Sequence, residues 1–410
     1  MIEHLVENMN INKIREDFPI ITNSKVVYFD NACMSFKPKQ VINAINEYYT
    51  NYGSCAGRSY HKLGKITEEK FEEARNKIAK FIGSKKEEIV FTKNTTEAIN
   101  LVANVIDFSD KKKVVTSNME HHSAILPFQQ LSGKGKINLD FVVADDKGEM
   151  TGDMWAEKID KNTKLVVAHH TTNSIGTAAP LNEITKIAHE VGALILVDGA
   201  QGAPHSEINF KKSNFDFFAF SGHKMLGPTG TGCLAAKLDL LNKLPPFLVG
   251  GETIEKVTLD SATFTKPPHK FEAGLQHYSG FIGLGTAVDY LSKIGMKEVK
   301  KHEIELARYL LEGLKEIEGV IIYGLSDPKR KNCGIVTFNI KNIPPHQVSI
   351  MLDEMEKIAT RSGVFCAEPA MNHLGAPNGA VRASFYLYNT KDEVDVFINS
   401  IKKISVISYK

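Results

Sequence analysis

Short apolar runs rich in Val, Ile and Phe alternate with helical periods through the first half of the chain. Glu88–Thr92 reads as a strand, and Thr96 to about Ile106 as a helix. Lys164–His169, Ala193–Asp198 and Phe215–Phe220 predict three more strands, and Asn182–Glu190 a helix before the second of them. Strands that are apolar throughout and separated by helices predict a mostly parallel sheet covered on both faces. Ligands of such sheets sit beyond the carboxyl ends of the strands, so the polar residues there are the ones to inspect. Residues 252–280, rich in Pro, Gly and charge, predict a loop region without periodicity. From about Phe281 the pattern is helical to about Ile317. Strands are then expected near 320–323, 334–340 and 381–387, with helices at about 345–357 and 391–402. That mixture predicts a second, smaller α+β unit.

The polar residues after the strands carry the chemistry. KNTTE at 93–97 opens a helix with two hydroxyls, Thr95 and Thr96, beside free backbone N–H groups. That is an anion site, or the blander ordinary helix cap, which the segment taken alone favours. Asp198 ends an apolar strand, where a carboxylate is costly without a positive partner; a protonated ring nitrogen would serve, and so would a capping role. Ser221 and His223 precede Lys224 and a Gly-rich run to Gly232. The Lys stands before the glycines, which fails the nucleotide phosphate-loop spacing. A Lys at that place forms a Schiff base or is a surface residue in a turn. His121 and His122 are adjacent, a poor geometry for one metal ion; stacking of one ring on a flat cofactor is the alternative. A phosphate site at Thr95 and Thr96, an acid at Asp198 and a Lys at 224 together meet the requirements of pyridoxal 5'-phosphate.

Composition narrows the class. In 410 residues, 50 Lys and Arg balance 48 Asp and Glu, for a net charge of +2. That is too little for a nucleic-acid footprint. The basic triplets 111–113 and 329–331 are short enough to be loop caps. No apolar run reaches the roughly 18 residues of a membrane helix, and MIEHLVENMN lacks the apolar core of a secretory signal. Five cysteines without a CxxC pair predict free thiols in a reducing cytosol and exclude a zinc site of closely spaced Cys.

The motifs YFDNA (28–32), MEHHSAILPFQ (119–129), TTNSIGTAAPL (171–181), VDGAQGAPH (197–205), FAFSGHKMLGPTGTG (218–232), KFEAG (270–274) and RSGVFCAEP (361–369), with Arg382–Ser384 and Tyr388–Asn389, carry a resemblance. Over nearly its whole length the chain resembles the class V aminotransferase-fold enzymes dependent on pyridoxal 5'-phosphate, and within them the cysteine desulfurase and selenocysteine lyase group. The resemblance implies an α/β protein of PLP-dependent transferase fold type I: an N-terminal segment (1–22) packing on the small domain, a large PLP-binding domain (23–280) and a small C-terminal domain (281–410). It implies that Lys224 holds the cofactor as a Schiff base and later carries a proton. Asp198 pairs with the ring nitrogen, Gln201 with the ring oxygen, and His122 stacks on the ring and moves a proton. Thr95, Ser221 and His223 hold the phosphate, with Thr96 beside them. Asn173 lies near ring oxygen and substrate, Arg382 binds the substrate carboxylate, and Cys366 is the nucleophile. The implied reaction takes L-cysteine, or L-selenocysteine as a near variant, to alanine. A persulfide stays on Cys366 for a sulfur-acceptor protein serving iron–sulfur or thiolation pathways. A cytoplasmic homodimer is expected. The rivals are another reaction on the same scaffold (epimerisation, transamination or β-elimination) that leaves Cys366 unused, and a non-catalytic scaffold that binds a sulfur acceptor.

Two departures from the family pattern stand near the site. Val364-Phe365 replaces the usual His-His before the Cys; apolar neighbours raise a thiol pKa, and Arg361 is the charge available to compensate. Leu275-Gln276 replaces Thr-Pro, whose Thr reaches the partner subunit's phosphate, so Gln276 or His277 must substitute or the contact is lost. Arg58 and His61 at their spacing resemble the family's loop near the dimer interface, and Cys55 beside them reads as a packing residue or a second thiol near the site. Cys33, Cys233 and Cys333 carry no functional signal.

Overall fold

The computed structural model describes residues 9–57, 59–327 and 333–407. The opening octapeptide, Arg58 and the basic triplet 329–331 lie outside the described residues. Fifteen strands follow the order β1 (Val27–Tyr28), β2 (Ile89–Thr92), β3 (Lys113–Ser117), β4 (Asn138–Val142), β5 (Thr163–His169), β6 (Leu194–Asp198), β7 (Phe217–Ser221), β8 (Gly232–Ala236), β9 (Ile254–Val257), β10 (Ala262–Phe264), β11 (Val320–Tyr323), β12 (Ile335–Ile340), β13 (Ile358–Ala359), β14 (Arg361–Gly363) and β15 (Ala380–Ser384) among the described residues.

The main sheet has seven strands in the order β2-β8-β7-β6-β5-β3-β4. Only β8 runs against its neighbours; the other pairings are parallel. β2, β6, β7 and β8 are buried or nearly so along their whole length, as apolar strands covered by helices on both faces must be. On one face lies the helix Thr95–Val105, capped by Asn94, whose side chain accepts from Glu97 N, and buried through Ala98, Ile99, Leu101 and Val102. On the other, Tyr278–Ile294 packs with Lys62–Phe81 through Phe71, Phe91 and Phe281, the last two rings stacked at 3.9 Å.

The second sheet is antiparallel, β11-β12-β15-β14, and packs on the helices Met296–Lys315, Pro345–Glu356 and Lys391–Ile407. β1 pairs with β13 beside it, and Asn31 donates to Ser384 O at 2.7 Å, so the early chain is tied to this later sheet. Arg15 donates to Tyr388 O and Glu393, while the Phe18 ring meets both Tyr290 and Tyr388.

Three sequence expectations change. Residues 252–280 contain an antiparallel hairpin, β9–β10; almost all its residues are exposed on both faces, which removes any alternation from the sequence. The helical stretch before 317 starts at Tyr278 and is two helices, broken at Gly295 (φ 92°), a conformation that suits glycine. The strand expected at 381–387 is Ala380–Ser384, because Phe385–Tyr388 leaves the ladder as a buried aromatic turn. No helix among the described residues is long and apolar enough to cross a membrane.

Candidate functional site

The parallel strands end at one cavity of about 220 Å³, closed from the other side by β14, β15 and the turn between 363 and 367. His169 of β5, Asp198 of β6 and Ala219 of β7 stand in one row of the ladder. Asp198 Oδ1 accepts from Ala200 N at 2.9 Å. Burial pushes its carboxyl above the ordinary range, opposed by that bond and by the Lys224 charge. Lys224 ends the short turn Gly222–Lys224 that follows β7. Burial lowers its pKa, and Asp198 works in the other direction. An amine so placed is easier to deprotonate than a surface lysine, as carbonyl chemistry requires.

An anion cradle lies beside them. Ser221 Oγ accepts from Thr95 N at 2.9 Å and lies 2.7 Å from Thr95 Oγ1; Thr96 Oγ1 is 2.7 Å from Ser123 Oγ. The helices Thr95–Val105 and His122–Gly133 both start here, so the positive ends of two helix dipoles converge. At Gly232 a Cβ would meet the Asn94 backbone at 2.5 Å, so only glycine lets β8 support this turn. His223 lines the same wall, its pKa lowered to about 4 by burial and the Lys224 charge.

The opposite wall is built around Arg382. Nη1 donates to Asn173 O at 2.7 Å and Nη2 to Asp30 Oδ1 at 3.1 Å, while the guanidinium lies 4.9 Å from the Phe365 ring centre. Arg361 is its cross-strand partner on β14. Asn173 Nδ2 donates to Phe365 O at 2.7 Å, and Gln201 Nε2 to Ala32 O at 2.7 Å. Four buried polar atoms of residues lining the cavity have no hydrogen-bond partner: Asn173 Oδ1, Gln201 Oε1, Arg382 Nε and His169 Nε2. Buried polar atoms are rarely left so, and this mixture of donors and acceptors fits a polar ligand that both donates and accepts. Pyridoxal 5'-phosphate fits this donor set: a cradle for phosphate, an acid for a ring nitrogen and a buried lysine. Cys366 is exposed yet lines the cavity, in the turn after β14.

Thr95, Thr96, Asn173, Asp198, Gln201, Ser221, His223, Lys224, Arg361, Cys366 and Arg382 thus all meet at one cavity. His122 does not line it; of the pair expected to face the cofactor, it is His121 that lines the cavity. His121 is the N-cap (φ −65°, ψ 149°), its Nδ1 accepting from Ser123 N at 3.1 Å. His122 is the first helical residue, turned away from the cavity to pair with Glu368. Burial and the Lys224 charge push His121 down to about 3. Two further groups escaped the sequence reading. Cys33, following the YFDNA motif, lines the cavity. Glu120, fully buried, accepts from Ser117 Oγ and pairs with His169 Nδ1, both at 2.7 Å; its neighbours in MEHH drew attention from it. Leu275 is 70% exposed, and neither it nor Gln276, His277 or Cys55 lines this cavity.

Known proteins agree with this geometry. The sequence profile described as Aminotransferase class-V matches residues 27–397. A probable cysteine desulfurase of Halalkalibacterium halodurans is 43% identical over 403 residues, 96% of this chain and 98% of the relative. The cysteine desulfurase of Haloferax volcanii is 39% identical over 414 residues, 96% of each. Among solved structures, the apo cysteine desulfurase of Thermococcus onnurineus NA1 superposes with a TM-score of 0.92 at 42% identity, covering 96% of this chain and 98% of that one. The cysteine desulfurase CsdA of Escherichia coli gives 0.89 at 28% identity, covering 97% and 99%. The chain belongs to the class-V aminotransferase family. Within it, these relatives form the cysteine desulfurase group.

Proposed function

We propose that the protein is a cysteine desulfurase dependent on pyridoxal 5'-phosphate. The observation that carries this reading is the placement of Asp198, Lys224 and the Thr95–Ser221 cradle at the strand ends of one sheet, with Cys366 across the same cavity. The cofactor supplies an electron sink for the charge that loss of a substrate α-proton leaves behind. Thr95, Thr96, Ser221 and His223 would hold its phosphate, Asp198 would accept from its ring nitrogen, and Gln201 and Asn173 would serve its ring oxygen. His121 would take the ring-facing place first expected of His122. Lys224 anchors the cofactor and carries the α-proton on Nζ. Arg382 binds the substrate carboxylate, and Nε, the donor left free by Asn173 and Asp30, is the edge available for it. Arg361 adds positive charge beside it.

The balance is L-cysteine plus the Cys366 thiol giving L-alanine plus the Cys366 persulfide. The Cys366 sulfur forms a bond to the substrate sulfur as the substrate carbon–sulfur bond breaks, and the electron pair of that bond stays with carbon. The sulfur is then removed by an acceptor protein. In this reading residues 23–280 hold the cofactor, 281–410 supply Arg382 and Cys366, and the described part of 1–22 packs on that smaller domain; the working form is a cytoplasmic homodimer. Its substrate is L-cysteine, with L-selenocysteine as a variant the same groups would accept. A single turnover with L-cysteine, wild type beside Cys366→Ala, tests it. Alanine and a Cys366 persulfide in wild type, both absent in the variant, support it. Pyruvate and sulfide, or cysteine consumption by the variant, would replace it with β-elimination.

A further inference from the structure

The turn that carries Cys366 is conformationally unfavourable. Phe365 (φ 57°) and Cys366 (φ 54°) are consecutive non-glycine residues in the left-handed region. That region crowds the Cβ of any L-residue against its own carbonyl, and two in succession do not persist without outside support. The support comes from elements beyond the turn. Asn173, after β5, donates its amide to Phe365 O at 2.7 Å. The backbone N–H of His122, after β3, donates to Cys366 O at 2.8 Å. The His122 ring then closes the far side, where Nε2 meets the Glu368 carboxylate. His122 thus grips the turn on both sides of Cys366.

The same turn roofs Arg382. The Phe365 ring is 7% exposed and lies over the guanidinium. While the turn is held down, Arg382 is covered and the Cys366 side chain borders the cavity. The grip itself is at the surface, His122 being 29% and Glu368 50% exposed, so it can open without disturbing the core.

We propose that His122 and Glu368 form a clasp that holds the strained Cys366 turn in position for attack on substrate. His122 is accordingly a positioning residue for Cys366, and it does not itself line the cavity. Strain favours opening of the turn and the clasp opposes it.

The proposal rests on Cys366 being the nucleophile. Its test uses the holoenzyme and three variants, His122→Ala, His122→Gln and Glu368→Ala. The readouts are the alkylation rate of Cys366 by iodoacetamide, the single-turnover yield of alanine and the visible absorption of the cofactor. Loss of one such grip, about one hydrogen bond, raises alkylation roughly tenfold in His122→Ala and in Glu368→Ala, with a comparable slowing of alanine formation. The cofactor spectrum stays that of wild type. His122→Gln, whose amide still offers an N–H to the Glu368 carboxylate, recovers most of the wild-type rates. Should His122→Ala fold poorly, Glu368→Ala, at a half-exposed position, carries the test. Unchanged alkylation, or a shifted cofactor spectrum in His122→Ala, overturns the clasp. A wild-type enzyme that forms no persulfide on Cys366 overturns the underlying reading instead.

Discussion

Arg75 and Glu272 meet through two hydrogen bonds of 2.7 and 3.0 Å where their side chains are 1% and 2% exposed. Glu272 also accepts from Phe91 N at 2.7 Å, and the guanidinium lies 4.1 Å from the Phe91 ring centre. The pair bolts the loop after the hairpin to β2 and to the helix Lys62–Phe81. Burial alone would raise the Glu272 pKa; Arg75 and His269 outweigh it and bring it from 4.5 down to about 2. A depressed carboxylate stabilises the fold above its unfolded pKa and loses that contribution as pH falls through the folded value. Acid unfolding followed by circular dichroism should therefore show a loss between about pH 4.5 and 2 that Glu272→Gln lacks. At neutral pH the same variant leaves the buried Arg75 with Glu72 as its remaining acid partner, at a cost of about 2 kcal/mol, readable as a lower urea midpoint. An unaltered midpoint would show that the pair is not structural.

Asp198→Asn removes the charge that holds the Lys224 pKa up against burial. The amine should then titrate lower still, so the pH midpoint for capture of pyridoxal 5'-phosphate by apo-protein moves down. Turnover should fall by about a hundredfold, because the ring nitrogen loses its partner. A midpoint that stays or rises contradicts the assignment.

His121, at about 3, stays neutral through the physiological range. His121→Gln should lower kcat by about tenfold to a hundredfold without moving the acid limb of the pH–rate profile. The cofactor absorption band should shift in this variant and not in His122→Ala. The reverse pattern would return the ring-facing role to His122.

Phe365→Ala strips the aromatic cover from Arg382. Water then competes for the guanidinium, and the KM for L-cysteine should rise about fivefold with a smaller change in kcat. Equal KM values would mean that the ring does not shield the carboxylate site.

The chemistry legible in the sequence was of one kind. Asp198, Ser221 and Lys224 follow apolar strands, and a strand's end is a place that hydrophobic pattern alone can locate. Arg382 and Cys366 came from the family likeness, since nothing local marks an arginine inside a short strand or a thiol in a turn. The pair His121-His122 shows where local pattern stops. Neighbours at a helix start face different directions, and the choice depends on one extended N-cap residue. The grip of Glu120 on His169 joins residues 49 positions apart and has no local signature at all. The hairpin of 254–264 was hidden for the opposite reason, since strands wet on both faces carry no alternation.

The row His169–Asp198–Ala219 has a consequence for how such an enzyme varies. Side chains alternate across a strand, so losing one residue within Leu194–Val197 would turn Asp198 to the opposite face and abolish the centre in a single event. The connecting helices tolerate length changes at their far ends without that penalty. The turn at 363–367 lies outside the row, on a separate antiparallel sheet. Selectivity and sulfur delivery can therefore be exchanged as a cassette while the reaction centre is inherited as an indivisible block.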